Sequence, residues 1–599
     1  MGLAAVKPRS YLPIGAYGLV GDGRTAALVG TDGSVDWLCW PRFDAPSVFG
    51  ALLDAQRGGR FSIAPAVPFQ SSQSYEPDTN ILVTSFNTPN STVELTDFMH
   101  VGDGAPDRPV LYRVVRCRHG EVELAGLVDP RPDYGAVRPT LAQTGNALAF
   151  DVPGGRLAVS SEPTVRMEGG TFSAHLSAGE VVAFRLGEAA EAVEWEGALA
   201  ETRRFWEDWA AQCSYAGPWR EAVLRSALAL KLMIHAPTGA VVAAPTTSLP
   251  EEVGGTRNWD YRYTWLRDGA LTLNALFSLG YAEEAVAYTN WVLRTLRGCA
   301  CSPGLQPMYG IDGSCAMPER ELDYLEGYRG SKPVRIGNAA HTQRQLDTYG
   351  ELFDCLVVCR TFGATREPEV WPRLAGLADE VADHWREPDS GIWEVRDRPR
   401  HFVHSKVMAW VALDRAVHVA EALRLPADVV GWRRERELIR SDVLRHGLAG
   451  TPPVFIRAYD DPSPDASHLL LVNTGFLPAD DPVMVATVER VRQELGSNGL
   501  VFRYRAEDGL PGSEGAFLPA SFWLAEALVR TGRPDDGAAV FEEVLARTGP
   551  LGLLAEEVDP ATGEYLGNYP QALSHIALIN AALALAAPEA YTMRRNGDG

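Results

Sequence analysis

Between Gly255 and Asp268 the chain sets four rings (Trp259, Tyr261, Tyr263, Trp265) beside three arginines (Arg257, Arg262, Arg267) and two aspartates (Asp260, Asp268). Flat rings alternating with planar guanidinium groups and carboxylates suit a neutral polyhydroxylated ligand. Sugar C–H faces stack on rings, and hydroxyls pair with fixed donors and acceptors. The structural alternative is a loop whose rings staple two helices and whose charges pair at the surface. Two further places add carboxyl groups in apolar company. Glu394 follows Trp393 between Ile392 and Val395, and Glu556 and Glu557 follow Leu553, Leu554 and Ala555. Desolvation beside rings and aliphatic groups raises a carboxyl pKa, which is what a general acid near neutral pH requires. Cleavage of a glycosidic bond needs two such groups, one protonated and one ionised. The plain readings are a surface Glu after a buried Trp, and an acidic loop.

Whole-chain properties narrow the ligand. The formal net charge of −22 repels phosphate backbones and anionic membranes, leaving no nucleic-acid or membrane partner and favouring a neutral small molecule. The start, Met1 to Ser10, lacks the apolar stretch of a signal peptide, and no apolar run is long enough to span a bilayer, so a cytoplasmic location is expected. Eight cysteines are scattered with no C-x-x-C pair; Cys299 with Cys301 and Cys355 with Cys359 lack metal-finger spacing, and reduced thiols are expected. His401 and His404 lack the H-E-x-x-H arrangement. No metal and no cofactor is called for.

The elements that must position these residues fall into two parts. Residues 1–187 read as short β segments separated by Gly, Pro, Asn and Asp, for example Ile81 to Phe86, Thr92 to Thr96 and Leu111 to Val115, which predicts an antiparallel β-sandwich. Its inner positions look aliphatic, and Ser34 to Asp44 is aromatic enough to reach toward the next domain. Residues 188–215 read as a charged helical linker. From 216 to 599 about twelve amphipathic segments follow, near 218–236, 265–279, 282–297, 342–362, 368–385, 405–423, 426–447, 468–473, 480–494, 517–531, 534–547 and 570–587. Short turns, such as Gly280-Tyr281 and Gly532 to Pro534, alternate with long connections that carry the unusual residues. Antiparallel helices joined this way put every long loop on one face, which predicts an (α/α)6 barrel with one elaborate mouth.

Taken in order, Trp259 to Asp268, Leu305 to Gly313, Gly391 to Glu394, Gly509 to Ala516 and Gly552 to Ser574 resemble the motifs of glycoside hydrolase family fifteen, the glucoamylase family, in the prokaryotic branch that includes trehalases. The resemblance covers nearly the whole chain. It implies an inverting exo-enzyme with Glu394 as general acid and Glu556 as general base. It implies Arg267 and Asp268 on the terminal glucose hydroxyls, with Arg503 (or its neighbour Arg505), Trp265, Tyr309, Trp393 and Glu557 also in the sugar site. Glu557 stands where Gln is common, and Val395 stands where fungal-type members carry a second Glu. That departure removes the basis for transferring leaving-group contacts. The expected activity is release of β-glucose from short isomaltose-type or maltose-type α-glucosides. Alternatives are an α,α-trehalase and a non-catalytic glucan-binding protein. An isoprenoid-processing toroid would need metal-binding aspartates, and Asp460-Asp461 is followed by Pro462.

Overall fold

The computed structural model describes residues 10–144, 147–188, 191–298, 304–361 and 367–587. The first nine residues and the Cys299/Cys301 pair lie outside the described residues. The N-terminal part holds two antiparallel sheets. In the first, Tyr17–Gly21, Ala26–Gly30, Ser34–Cys39, Arg60–Pro65, Glu121–Asp129 and Thr171–Ser177 lie side by side, with Ser47–Phe49 on the edge of Ser34–Cys39. In the second, the spatial order runs from Ala142–Thr144 through Ala147–Val152, Gly155–Glu162, Val181–Gly187, Leu111–His119, Thr92–Met99 and Leu82–Asn87 to Gln70–Tyr75. Strict alternation of burial in Arg60–Pro65 and Leu82–Asn87 shows the pleat turning one face inward. Phe61 of one sheet meets Phe184 of the other edge to face at 6.2 Å.

The inner layer is not wholly aliphatic as expected. Arg113, fully buried, pairs with Asp97 at 2.6 Å and donates to the carbonyls of Phe61 and Gly33 in the facing sheet. A guanidinium has enough donors to satisfy both sheets at once, which is what permits its burial.

Helix α1 (Trp195–Ala210) links the two parts. The helices that follow are α2 (Arg220–Met233), α3 (Leu266–Ser278), α4 (Ala282–Gly298), α5 (Asp347–Thr361), α6 (Glu367–His384), α7 (Val403–Leu423), α8 (Val429–His446), α9 (Pro482–Glu494), α10 (Leu518–Arg530), α11 (Pro534–Leu545) and α12 (Ala572–Ala586). The segment expected near 468–473 is a 3-10 helix, Ala466–Asn473, started by the Asp465 side chain. An inner ring runs α3, α5, α7, Ala466–Asn473, α10, α12 and back to α3, each packed on the next. The outer partners α2, α4, α6, α8, α9 and α11 close an (α/α)6 barrel. Buried sequence explains the ring: α10 buries every residue from Leu518 to Val529, whereas outer α11 buries only Gly537, Phe541 and Val544.

The Ser34 to Asp44 stretch does reach the barrel. Trp37 donates from its indole nitrogen to the Pro245 carbonyl at 2.7 Å, and Arg42 pairs with Asp312 at 3.3 Å. Cys39, Cys117 and Cys213 are free and buried, Cys355 is buried, and Cys315 is disulfide-bonded. The expectation of eight reduced thiols is corrected there, because spacing along the chain does not report which thiols the fold brings together. No helix of the described residues is long and apolar enough to cross a membrane.

Candidate active site

The long connections on one face of the barrel surround a cavity of about 800 Å³, counting its open mouth. Five of them and the starts of three inner helices line it. The α2–α3 connection brings Glu251, Arg257, Trp259, Tyr261 and Trp265. The α6–α7 connection brings Ile392 to Arg396, the α9–α10 connection Arg503, Tyr504, Asp508 and Leu510, and the α11–α12 connection Glu556. Arg267 and Asp268 come from the first turn of α3, and Asn338 from the α4–α5 connection. A cavity lined by rings and a few charged groups suits a small polyhydroxylated ligand.

Glu394 sits at the tip of a tight turn. Its backbone is left-handed, φ 57°, following Gly391 at φ 66°, a conformation that costs a non-glycine residue about 1–3 kcal/mol. The surroundings hold it there. The Glu394 N–H donates to Gly391 O at 3.1 Å, and Val395 N–H to Ser390 O at 3.2 Å. The Gln343 amide donates to the carbonyls of Glu394 and Val395, and Arg267 donates to Ile392 O at 2.9 Å. Beside it, the Trp393 indole is anchored to Asp465 at 2.9 Å and packs edge-on to Phe517. The Glu394 side chain accepts from the Trp265 indole at 2.5 Å. Burial raises its pKa from the ordinary carboxylate value; the positive charge of Arg267 and the Trp265 hydrogen bond oppose the rise, and Asp268 adds to it.

Glu556 is almost completely buried. Its Oε1 accepts from the Tyr261 hydroxyl at 2.7 Å and lies 4.0 Å from Arg503, and its Oε2 faces the Asn568 N–H at 3.4 Å. Burial again pushes its pKa up, Glu251 next in the same direction, while Arg503 and the Tyr261 hydrogen bond pull it down. Gly567 at φ 71° lets the backbone pass beneath this carboxylate, since a Cβ there would come within 2.5 Å of Glu556 Oε2.

Arg267 and Asp268 are locked together, Nε to Oδ1 at 2.6 Å, and both face the cavity. Arg503 lines it with one edge while its Nη2 contacts Glu251 at 2.8 Å, Glu514 at 2.7 Å and Glu557 at 3.0 Å. Glu251, Glu514 and Glu557 have oxygens within 4.8 Å of one another, close enough for a metal ion, and this guanidinium meets all three.

Two expected sugar contacts are displaced. Tyr309 does not line the cavity; its strand Met308–Tyr309 pairs with Thr264–Trp265, its hydroxyl accepts from Gln306 N–H at 3.1 Å, and its ring meets Trp291. Glu557 does not line it either. It opens the strand Glu557–Val558, where successive side chains point to opposite faces, so Glu556 looks inward and Glu557 looks back into the protein. The stretch from Gly255 to Asp268 is likewise divided. Arg257, Trp259, Tyr261, Trp265, Arg267 and Asp268 face the cavity. Arg262 and Asp260 form a buried pair at 2.6 Å that packs beneath Tyr134 and the Ala45 carbonyl of the sandwich. Chain order does not say which members of such a cluster turn which way.

Glu251, Arg257, Trp259, Tyr261, Asn338, Arg396, Tyr504 and Asp508 line the site although no motif marks them individually as sugar contacts. Tyr261 is legible in the sequence only as one ring of a cluster. Among the described residues, none of those lining the cavity comes from the sandwich.

The family model of glycosyl hydrolases family 15 matches residues 217–583, and a trehalase-like N-terminal model matches residues 6–175. The chain is 38% identical to the trehalase of Mycolicibacterium smegmatis, over 96% of this chain and 91% of that one. It is 36% identical to the trehalase of Thermoplasma volcanium, over 96% of this chain and 93% of that one. Its fold superposes on a crystal structure of bacterial glucoamylase complexed with acarbose at a TM-score of 0.73 and 13% identity, covering 99% of this chain and 98% of that one. With the matched family model spanning more than half the chain and relatives spanning nearly all of it, the protein belongs to glycosyl hydrolases family 15 and is a glycoside hydrolase.

Proposed function

We propose that the chain is an inverting α,α-trehalase. The observation that carries this reading is that the likeness to trehalases runs the length of both chains, through the N-terminal sandwich as well as the barrel. That favours trehalose over the isomaltose-type and maltose-type oligosaccharides expected from the motifs alone. Linkage is chosen where the second sugar sits. That place would be built by Arg257, Asn338, Arg396 and Asp508, which come from separate connections and lie beyond any single motif.

In this reading one glucose is held by Arg267 and Asp268, whose fixed geometry rejects a sugar lacking the matching hydroxyl. Glu394, whose proton burial helps retain, donates it to the bridging oxygen as the C1–O bond breaks. Glu556 takes a proton from a water on the opposite face of the ring, and that water's oxygen bonds to C1. The Trp265 indole stabilises the carboxylate left on Glu394. The Tyr261 hydroxyl fixes the orientation of Glu556. Rigid donors that need no rearrangement as charge develops are the main source of rate enhancement in such a site.

Early time points of trehalose hydrolysis, followed by proton NMR, test both parts. Inversion at one carbon and release of the other sugar unchanged give equal amounts of β- and α-glucose before mutarotation. Only α-glucose would overturn inversion. A kcat/KM for maltose or isomaltose above that for trehalose would overturn the substrate.

A further inference from the structure

Behind Glu556 the charges do not balance. Arg257 is matched by Asp508 through two hydrogen bonds of 2.7 and 2.9 Å, and Tyr504 adds a donor to the same carboxylate. Arg257 also reaches Glu514 at 3.7 Å, so two guanidiniums, Arg257 and Arg503, face five buried or nearly buried carboxyl groups: Asp508, Glu251, Glu514, Glu556 and Glu557. Five ionised carboxylates around two cations in a low-dielectric interior are costly, and retaining a proton on one of them lowers that cost.

The donor inventory shows where. Both oxygens of Glu251 accept, one from the Trp259 indole at 3.1 Å and one from Arg503 at 2.8 Å. Both oxygens of Glu556 face donors, Tyr261 and the Asn568 N–H. Glu557 is completely buried. Its Oε2 accepts from Gly515 N–H at 2.7 Å, and its Oε1 lies 3.0 Å from Arg503 Nη2, outside hydrogen-bond geometry. Glu514 Oε1 is the other buried carboxyl oxygen of this knot without a partner, and the two residues approach within 4.8 Å. A single proton on Glu557 removes one negative charge from the knot and leaves Arg503 to Glu251, Glu514 and Glu556.

We propose that Glu557 is a neutral carboxylic acid in the working enzyme, a positioning residue that spares its neighbour Glu556 an adjacent negative charge and so favours ionisation of the general base. This rests on Glu556 being the base. Burial acts in the same direction, pushing the Glu557 carboxyl well above its usual range, with Arg503 opposing and Glu251, Glu514 and Glu556 adding to the rise.

Glu557→Gln reproduces the neutral form and tests the idea. The acidic limb of the kcat/KM profile should stay within about 0.3 pH unit of wild type, because no charge beside Glu556 has been removed. The wild-type infrared spectrum near neutral pH should contain a protonated-carboxyl carbonyl band that E557Q lacks. A downward shift of the acidic limb by about one unit or more, or identical carbonyl regions in the two spectra, would overturn the proposal. If E557Q does not fold, Glu557→Met, which keeps length and lacks charge, is measured on the same limb: an unmoved limb supports the neutral acid, and a downward shift of that size overturns it. Failure of Glu556 as the base is seen separately, as full turnover in E556Q.

Discussion

The indole Nε1 of Trp265 donates to Glu394 Oε1 at 2.5 Å, tying the last residue before α3 to the turn between α6 and α7. A donor aimed at a carboxyl stabilises its ionised form, so this contact favours the species left after proton donation. Trp265→Phe keeps the ring and deletes the donor. A hydrogen bond to a charged group of about 1.5–3 kcal/mol predicts a fall in kcat of roughly 10–100-fold. The alkaline limb of the pH profile should move upward, since Glu394 then holds its proton more tightly. An unchanged limb would show that the contact does not act on the proton donor.

The mirror case is Tyr261 on Glu556. Its hydrogen bond lowers the pKa of a carboxyl that burial has raised. Tyr261→Phe should shift the acidic limb upward, because the base must lose its proton before it can accept one, and lower kcat by roughly 10–100-fold. If only KM changes, the hydroxyl is a sugar contact and not a partner of the base.

Glu394→Gln and Glu556→Gln should each reduce kcat by at least about a thousandfold while leaving the circular dichroism spectrum unaltered. Retention of near-normal turnover in either variant would remove that residue from its proposed role.

Asp347, at the start of α5, has both carboxyl oxygens buried and without hydrogen-bond partners. Its pKa is pushed up to about 7 by burial first and Asp389 second, with Arg267 opposing. The folded protein therefore binds this proton more tightly than the unfolded chain, whose Asp titrates near 4. Stability from this group is complete below about pH 4 and is lost as pH rises toward 7. Asp347→Asn should flatten that slope, gaining about 1–3 kcal/mol on wild type between pH 4 and pH 8 in urea denaturation. Parallel slopes in the two proteins would refute the link to Asp347.

Much of this architecture can be read along the chain. Turn residues between short alternating strands announce the sandwich, and alternating short and long connections between apolar-periodic segments announce the barrel, because both are consequences of local geometry. The one inner segment that is not an α-helix, Ala466–Asn473, is too short for its periodicity to distinguish 3.6 from 3.0 residues per turn. The carboxyl pair is legible from apolar flanks and motif spacing, and the cavity contains both groups. What the chain does not reveal is direction. Whether Arg262 or Arg267 turns to the cavity and whether Glu557 looks in or out depend on how segments separated by scores of residues dock. Charge balance is decided at the same stage, since Arg503 acquires its four carboxyl neighbours only when three connections converge. Sequence determines periodicity and chemistry residue by residue; burial and proton occupancy belong to the assembled interior, where the dielectric and the neighbours are set together.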